Sequence, residues 1–160
     1  MEIIEYEEKY ENNVKDLLVE LQEYIASIDR EGYNILTDEF RDSYFAKTMA
    51  EVGKYEGKIF LAIDSNKVKG LIIGLINNDD EETYDFKAPK RGRVTELVVN
   101  KDCRGKGIGK SLMQEIEDYF RSVGCKGILI DVFAYNENAY KLYKRLGYFD
   151  RSIEMMKKID

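Results

Sequence analysis

A glycine-rich turn between a β-strand and an amphipathic helix constrains this chain more than any other feature of its sequence. A segment rich in β-branched residues, Val94–Val99, precedes a short polar loop that contains Arg104-Gly105-Lys106-Gly107-Ile108-Gly109, where a helical pattern begins. Such a turn points several backbone N–H groups at one place, aligned with the positive end of the helix dipole. The segment predicts an anion site of the kind that most often holds phosphate. The alternative is a structural turn flanked by solvated lysines.

The spacing of the glycines separates this turn from two common phosphate-binding motifs. A dinucleotide-binding pattern that starts at Gly105 would need its third glycine at position 110, which is Lys110. A P-loop that ends at Ser111 would need a glycine at position 104, which is Arg104. The turn therefore belongs to neither class, although its basic side chains suit a phosphorylated ligand.

Composition excludes several classes of chemistry. The chain contains no histidine and two isolated cysteines, Cys103 and Cys125. Ser-His-Asp and Cys-His catalysis are therefore excluded, and no metal site is predicted. A general base must then be a carboxylate, a tyrosine, a lysine or a relayed water. A net charge of −6 argues against nucleic acid as a partner, because nucleic-acid binding requires a basic face.

Length and hydropathy favour one globular domain. A chain of 160 residues can bury a core, and no break in composition divides it, so a single domain over residues 1–160 is expected. No apolar run is long enough to span a bilayer. The acidic segment Met1–Glu8 also lacks the profile of a signal peptide. We therefore expect a cytoplasmic protein with no membrane partner.

Apolar periodicity and turn residues predict the order β-α-α-β-β-β-α-β-α-β. The strand-helix-strand unit from Val94 to Phe133 requires a parallel pair, whereas the hairpins require antiparallel pairs, so the class is α/β with a mixed sheet. Residues 77–92 are predicted to form a loop, and Thr37 is predicted to cap the second helix. The predicted strands are 2–6, 58–64, 68–76, 94–99, 127–133 and a C-terminal segment within 148–159, and the predicted helices are 14–28, 37–52, 108–123 and 136–146.

Two segments resemble the signatures of the GNAT-type N-acetyltransferase family. The first is Val94–Met113, which is similar to that family's acetyl-CoA-binding motif. The second is Asp131–Tyr148, which resembles the pattern N-x-x-A-x-x-x-Y-x-x-x-G-F/Y. Its matching positions are Asn136, Ala139, Tyr143, Gly147 and Tyr148. The predicted order of elements also matches the family's fold over nearly the whole chain.

The resemblance implies how acetyl-CoA binds. The strand that ends at Val99 would splay from its parallel neighbour, and backbone groups of Leu97, Val98 and Val99 would bind the pantetheine arm. One N–H there would polarise the thioester carbonyl and stabilise an oxyanion. The glycine-rich turn would hold the pyrophosphate. The residues implied at that turn are Arg104, Gly105, Lys106, Gly107, Ile108, Gly109 and Lys110.

The resemblance also implies roles for two residues of the second segment. Asn136 would contact the cofactor, although an asparagine there also suits a helix N-cap. Tyr143 would protonate the departing thiolate, since a phenol with a pKa of about 10 stays protonated near neutral pH. Without the motif, Tyr143 would be a packing residue on an apolar helix stripe.

Two carboxylates are alternatives for the general base. Glu96 is the first, acting through water, and alternation predicts that it shares a strand face with Val94 and Val98. Asp131 on the neighbouring strand is the second. For each carboxylate, an ordinary role as an ion-pair partner or solvated residue has about the same weight as a catalytic role. The resemblance does not decide between Glu96 and Asp131.

The resulting prediction is an acetyl-CoA-dependent N-acetyltransferase that acts on a small-molecule amine. The bound amine would attack the thioester directly through a tetrahedral intermediate, without a covalent enzyme intermediate. The alternatives are a protein or peptide acetyltransferase and a non-catalytic acyl-CoA sensor. Tyr24, Ile28 and Tyr33 are predicted to line the acceptor cleft. A homodimer is predicted as one way to complete that cleft beside the short C-terminal segment.

Overall fold

The computed structural model describes residues 1–77, 83–87 and 89–159. The strands within these ranges are β1 (Glu2–Glu5), β2 (Lys58–Asp64), β3 (Lys67–Asn77), β4 (Arg91–Val99) and β5 (Gly127–Ile130). The α-helices are α1 (Glu11–Ile28), α2 (Phe40–Lys54), α3 (Ile108–Ser122) and α4 (Glu137–Arg145). Short 3₁₀ helices, Glu8–Tyr10 and Lys101–Cys103, precede α1 and α3.

The strands form one mixed sheet in the order β1-β2-β3-β4-β5. The first three junctions are antiparallel and the junction between β4 and β5 is parallel. The β2–β3 hairpin turns at Ser65 and Asn66, whose φ angles of 50° and 59° match the right-handed twist of the strands. The predicted mixed sheet and its parallel pair are confirmed.

Helices cover both faces of the sheet and bury a separate apolar cluster on each. On one face, α3 places Leu112, Ile116 and Phe120 against the strands. On the other face, α1 and α2 contribute residues such as Leu18 and Phe45. The apolar stripes predicted from the helical period therefore face the sheet from opposite sides, and the architecture has three layers.

A β-bulge in β4 changes which side chains face each layer. The register with β3 shifts at Thr95, which lies between two paired residues. As a result Val94 packs in the α3 cluster, whereas Val98 packs in the α1–α2 cluster and Glu96 reaches α2. The prediction that all three share one face is therefore wrong for Val94, because a bulge inserts one residue and reverses the alternation on one side of it.

The parallel pair separates soon after it forms. Residues Arg91 to Val94 of β4 pair with Gly127 to Ile130 of β5, and the pairing stops there. The rest of β4 continues beside β3 alone. The predicted splay is confirmed, and it leaves a gap that begins beyond Val94.

Two predicted boundaries differ in the region between α1 and β4. Helix α2 begins at Phe40, whose N–H donates to the Thr37 carbonyl in a turn, so Thr37 is not the N-cap. Gly53, predicted to end that helix, lies within its last turn. Strand β4 begins at Arg91, inside the predicted loop. The acidic run 79–82 lies outside the described residues.

The predicted C-terminal strand does not form within the described residues. Residues 148–159 contain no strand, and β5 ends the sheet. Beyond Tyr148, which packs on the core, the large apolar side chains of the segment stay in solvent, with Ile153 81% and Met155 89% exposed. A strand is stabilised by a hydrogen-bonded neighbour and a covered face, and this segment has neither here. Among the described helices, none is long and apolar enough to cross a membrane.

Candidate active site

The gap between β4 and β5 presents backbone amides along one edge of β4. The Asn100 N–H donates to the Lys69 carbonyl at 2.9 Å, which makes these two residues a hydrogen-bonded pair of the antiparallel ladder. Because the direction of the amides alternates along a strand, Val98 bonds toward β3, whereas Leu97 and Val99 turn their N–H and C=O groups to the gap. Of the three residues predicted to bind an extended ligand, Leu97 and Val99 turn backbone groups to the gap, whereas the backbone of Val98 bonds to β3.

The glycine-rich turn lies at the end of this gap, where α3 begins. Gly105 and Gly107 have φ angles of 77° and 82°, in the left-handed region that favours glycine. Gly107 is the N-cap of α3, and the buried side chain of Ile108 anchors the first turn in the core. The exposed side chains of Lys106 and Lys110 flank it. The turn thus directs the first amides of a long helix outward, as an anion site requires.

Arg104 contacts other parts of the chain. Its Nε donates to the Val99 carbonyl at 2.9 Å, and its guanidinium lies 3.3 Å from Glu20 on α1 and 5.4 Å from the ring centre of Tyr24. The Glu20 carboxylate also accepts the Lys101 N–H at 2.7 Å. These contacts fix α1 against the turn, so Arg104 has a structural role in addition to the predicted contact with a pyrophosphate.

Asn136 begins α4 beside the gap. Its Oδ1 accepts the Ala139 N–H at 3.3 Å, which is the contact of a helix N-cap. The same oxygen accepts the Tyr24 hydroxyl at 3.3 Å. The cap and the bond to α1 set the position of α4, and they leave the Asn136 amide nitrogen available to a ligand.

Tyr143 lies on the inner side of α4. The side chain is buried, with 8% exposed, and the ring centre lies 6.0 Å from that of Tyr148. Within the described residues its hydroxyl makes no hydrogen bond. Burial, with a smaller effect of the Glu96 charge, raises the pKa of Tyr143 to about 12, so the phenol stays protonated at neutral pH.

Glu96 is half-buried and hydrogen-bonded to α2. The bulge directs its carboxylate toward Tyr44, whose hydroxyl donates to Oε1. Burial raises the pKa of Glu96 to about 7, and the hydrogen bond from Tyr44 acts in the opposite direction. Burial and the adjacent carboxylate raise the pKa of Tyr44. The Tyr44 hydroxyl therefore stays protonated and remains a hydrogen-bond donor. A carboxyl group that titrates near pH 7 suits a general base.

Asp131, the other predicted base, lies just beyond β5 in a different environment. Its carboxylate is exposed, with 90% of the side chain in solvent, and lies 2.5 Å from the Arg93 guanidinium. The two predicted bases therefore differ in their surroundings: Asp131 is exposed and paired with Arg93, whereas Glu96 is partly buried and hydrogen-bonded to Tyr44.

A cavity of about 470 Å³ connects these groups. It lies between α1, α2 and the diverging strands. Its lining residues are Leu18, Leu21, Gln22, Ile25, Asn34, Phe40, Tyr44, Thr95, Glu96, Leu97, Asp131, Val132, Phe133, Asn136, Ala139, Tyr143 and Glu154. We call it the acceptor pocket, since both Glu96 and Tyr143 line it.

The α1–α2 side of the acceptor pocket differs from the prediction. Tyr24, Ile28 and Tyr33 are not among its lining residues; Leu21, Ile25 and Tyr44 are. The helical period identified the correct helices but placed the wrong side chains at the cavity, because the rotation of α1 against the sheet is set by tertiary packing. No local feature of the sequence predicts the hydrogen bond between Tyr44 and Glu96.

Comparisons with known proteins identify the family. The model of the Acetyltransferase (GNAT) family matches residues 27–148. An uncharacterised N-acetyltransferase from Methanocaldococcus jannaschii is 38% identical over 63 residues, which cover 39% of this chain and 40% of that protein. A glucosamine 6-phosphate N-acetyltransferase from Arabidopsis thaliana is 24% identical over 129 residues, covering 81% of this chain and 85% of that protein.

The fold is also found among solved structures. A mutant protein from Bacillus halodurans superposes with a TM-score of 0.82 at 20% identity, over 99% of both chains. The chain therefore belongs to the GNAT acetyltransferase family. The predicted class, the acetyl-CoA-dependent N-acetyltransferases, is confirmed at the level of the family.

Proposed function

We propose that this protein transfers the acetyl group of acetyl-CoA to a primary amine of a small molecule, by direct attack of the amine. The observation that carries the proposal is that one cavity is lined by both Glu96 and Tyr143 at the point where β4 and β5 separate. The groups that we propose as base and acid thus line one site.

The chain supplies a fitting site for acetyl-CoA, whose bound thioester would provide the activated acetyl group. The N–H groups of Leu97 and Val99 face the gap and would pair with an extended arm in the manner of an added strand. The left-handed glycines Gly105 and Gly107 place no side chain over the start of α3, where a pyrophosphate would lie. The Leu97 N–H is our choice for the donor to the thioester carbonyl oxygen.

Glu96 would remove a proton from the incoming ammonium, directly or through water. With a pKa of about 7, its carboxylate is substantially ionised at neutral pH and remains basic enough to accept a proton. Tyr44 donates a hydrogen bond that holds the carboxylate in place. Asp131 is our second choice for the base, because its carboxylate is paired with Arg93.

Tyr143 would donate its proton to the departing sulfur. Its pKa of about 12 keeps the phenol protonated. Burial next to the phenol also raises the pKa of the departing thiol, so the thiolate more readily accepts that proton than it would in water.

The loop that follows α1 favours a small acceptor over a peptide. Asp29 accepts the N–H groups of Glu31, Tyr33 and Asn34 at 3.0, 2.8 and 2.7 Å, and these bonds lower the pKa of its carboxyl group. Asn34 lines the acceptor pocket, so the bonds to Asp29 hold this part of its wall in place, which suits a small acceptor of defined shape. The relative named glucosamine 6-phosphate N-acetyltransferase also acts on a small amine.

The Tyr143→Phe variant tests the proposed chemistry. We expect kcat for CoA release to fall at least about tenfold, with little change in the KM for acetyl-CoA, because only a proton donor is lost. Tyr140→Phe is the matched control: Tyr140 is on the same helix, and its hydroxyl donates to Asp150 at 2.9 Å, away from the acceptor pocket.

Two results would contradict the proposal. An unchanged kcat in Tyr143→Phe, measured where the acetyl transfer step limits the rate, would remove the tyrosine from the mechanism. Binding of acetyl-CoA without CoA release, across polyamines, aminoglycosides, amino acids and N-terminal peptides, would support a non-catalytic acyl-CoA sensor instead.

A further inference from the structure

We infer that the acceptor pocket selects a cationic primary amine on an apolar or aromatic body and excludes amines that carry a phosphate or carboxylate. This inference rests on the proposed function and goes beyond it by stating the charge and the shape of the acceptor. Three observations carry it: the signs of the charges on the pocket wall, the pairing of the cations near it, and the apolar surface of α1 and α2.

The charged residues that line the pocket all have the same sign. They are Glu96, Asp131 and Glu154, and the lining residues include no lysine or arginine. The part of the chain outside the described ranges adds no basic residue, because positions 78–82, 88 and 160 are Asn, Asp, Asp, Glu, Glu, Ala and Asp. A ligand anion in this pocket would therefore find no positive side chain on its wall.

Two basic residues near the pocket are already paired with carboxylates. Arg93 lies 2.5 Å from Asp131, and Lys47, which is near the Tyr44 ring, lies 3.8 Å from Glu51. Moving an anion from water to this wall costs desolvation free energy, and no positive side chain on the wall compensates for that cost. An ammonium group, by contrast, would lie among carboxylates and hydrogen-bond acceptors.

The α1 and α2 walls carry aliphatic and aromatic side chains, with the polar Gln22 of α1 among them. The rings of Phe40 and Tyr44 stack 4.7 Å apart with 15° between their planes, and both line the pocket beside Leu21 and Ile25. Phe133 lies on the opposite wall. A flat apolar group bound between these walls would bury its surface, and the rings would also attract a cation.

Two matched pairs of amines test the inference. Tryptamine and tryptophan differ by a carboxylate, and glucosamine and glucosamine 6-phosphate differ by a phosphate. We expect kcat/KM for CoA release to be at least about tenfold higher for the member without the anion in each pair, and highest for tryptamine. Calorimetric titration of the same four amines into the protein with CoA present should give the same order of affinity.

A charge reversal on the wall tests which residue sets the selectivity. Glu154→Lys should raise the kcat/KM of glucosamine 6-phosphate relative to glucosamine by at least about threefold. The control is Glu115→Lys, which makes the same change in net charge on an exposed part of α3 outside the pocket. It should leave that ratio unchanged.

The outcomes separate this inference from the proposed function. Equal or better kcat/KM and affinity for the phosphate- or carboxylate-bearing members would overturn the inference while supporting the proposed function. Selective binding of tryptamine with no CoA release would support the inference and overturn the proposed function. If none of the four amines binds at millimolar concentration, the inference fails.

Discussion

The two faces of the sheet differ in how completely they are filled. On the α3 face, the Phe120 ring packs so closely that a Cβ added to Gly74 or Gly92 would lie 2.5 or 2.4 Å from it. On the α1–α2 face, a cavity of about 470 Å³ opens beside Glu96 and Tyr44. The Phe120 contacts stabilise the fold by close packing, whereas the pocket on the α1–α2 face holds the partly buried polar pair of Glu96 and Tyr44.

The bulge at Thr95 sends two residues of β4 that are only two positions apart to opposite faces of the sheet. Val94, before the bulge, packs in the α3 cluster, whereas Glu96, after it, reaches the pocket on the α1–α2 face. A regular strand would have directed both side chains to one face. We therefore predict that substitutions at Glu96 and Tyr44, on the α1–α2 face, change activity, and that substitutions at the close contacts of Phe120, on the α3 face, change stability.

Glu96→Gln should have the largest effect. The new amide oxygen can still accept a hydrogen bond from Tyr44 but cannot take a proton, so we expect kcat to fall by about 10²- to 10³-fold at pH 8. In the wild type, kcat/KM should rise with pH through about 7, where Glu96 ionises, and then level off. Initial rates of CoA release between pH 5.5 and 9 measure both effects.

The same variant should not destabilise the fold. Because the folded pKa of Glu96 is raised from 4.5 to about 7, the native state loses stability as pH rises through this window, and glutamine removes that loss. The Tm of Glu96→Gln at pH 8 should therefore equal or exceed that of the wild type.

Asp131→Asn is the matched control for the loss of kcat in Glu96→Gln. A large loss of kcat in Asp131→Asn alone would assign the base to Asp131.

Gly92→Ala should have the opposite profile. Its new methyl group would overlap the Phe120 ring, and we expect a loss of about 1–3 kcal/mol in the free energy of unfolding, with kcat and KM of the folded protein unchanged. Thermal and urea unfolding measure this loss. In the control Gly53→Ala, on α2, a Cβ meets nothing within 4 Å and should stabilise the helix by up to about 1 kcal/mol. A stable Gly92→Ala with impaired catalysis would contradict the division between the faces.

The sequence predicted best what short segments determine. The glycine-rich turn, its buried anchor Ile108 and the N-cap Asn136 are local features, and the structure has them at the predicted positions. A motif of fixed spacing also placed Tyr143 beside the gap. The tertiary contacts were not predictable in this way: Tyr44 and Glu96 are 52 residues apart. The bulge that brings them together is set by the pairing of β4 with β3, which the pattern of β4 alone does not contain.

The prediction failed where a pattern needs a partner to become structure. Residues 148–159 contain enough apolar positions for a strand, but an apolar pattern does not create a neighbouring edge, and Ile153 and Met155 remain exposed. The rotation of α1 is a similar case. The apolar stripe of α1 was predicted correctly. The residues at the edge of that stripe that line the acceptor pocket depend on how α1 packs on the sheet.

Tyr44→Phe should give the smallest effect and define the link between α2 and the base. Removing the hydroxyl donor raises the pKa of Glu96, because that hydrogen bond favours the carboxylate. The rise of kcat/KM with pH should move to higher pH. The rate should be roughly fivefold lower at pH 6 and should converge with the wild type near pH 9.

A matched control separates this effect from a general loss of packing. Tyr33→Phe removes a hydroxyl from a ring that is 69% exposed and outside the acceptor pocket, and it should leave the profile unchanged. A uniform loss of rate in Tyr44→Phe at every pH would mean that Tyr44 shapes the pocket without tuning the base. A shift confined to the acidic limb would show that α2 sets the proton affinity of Glu96.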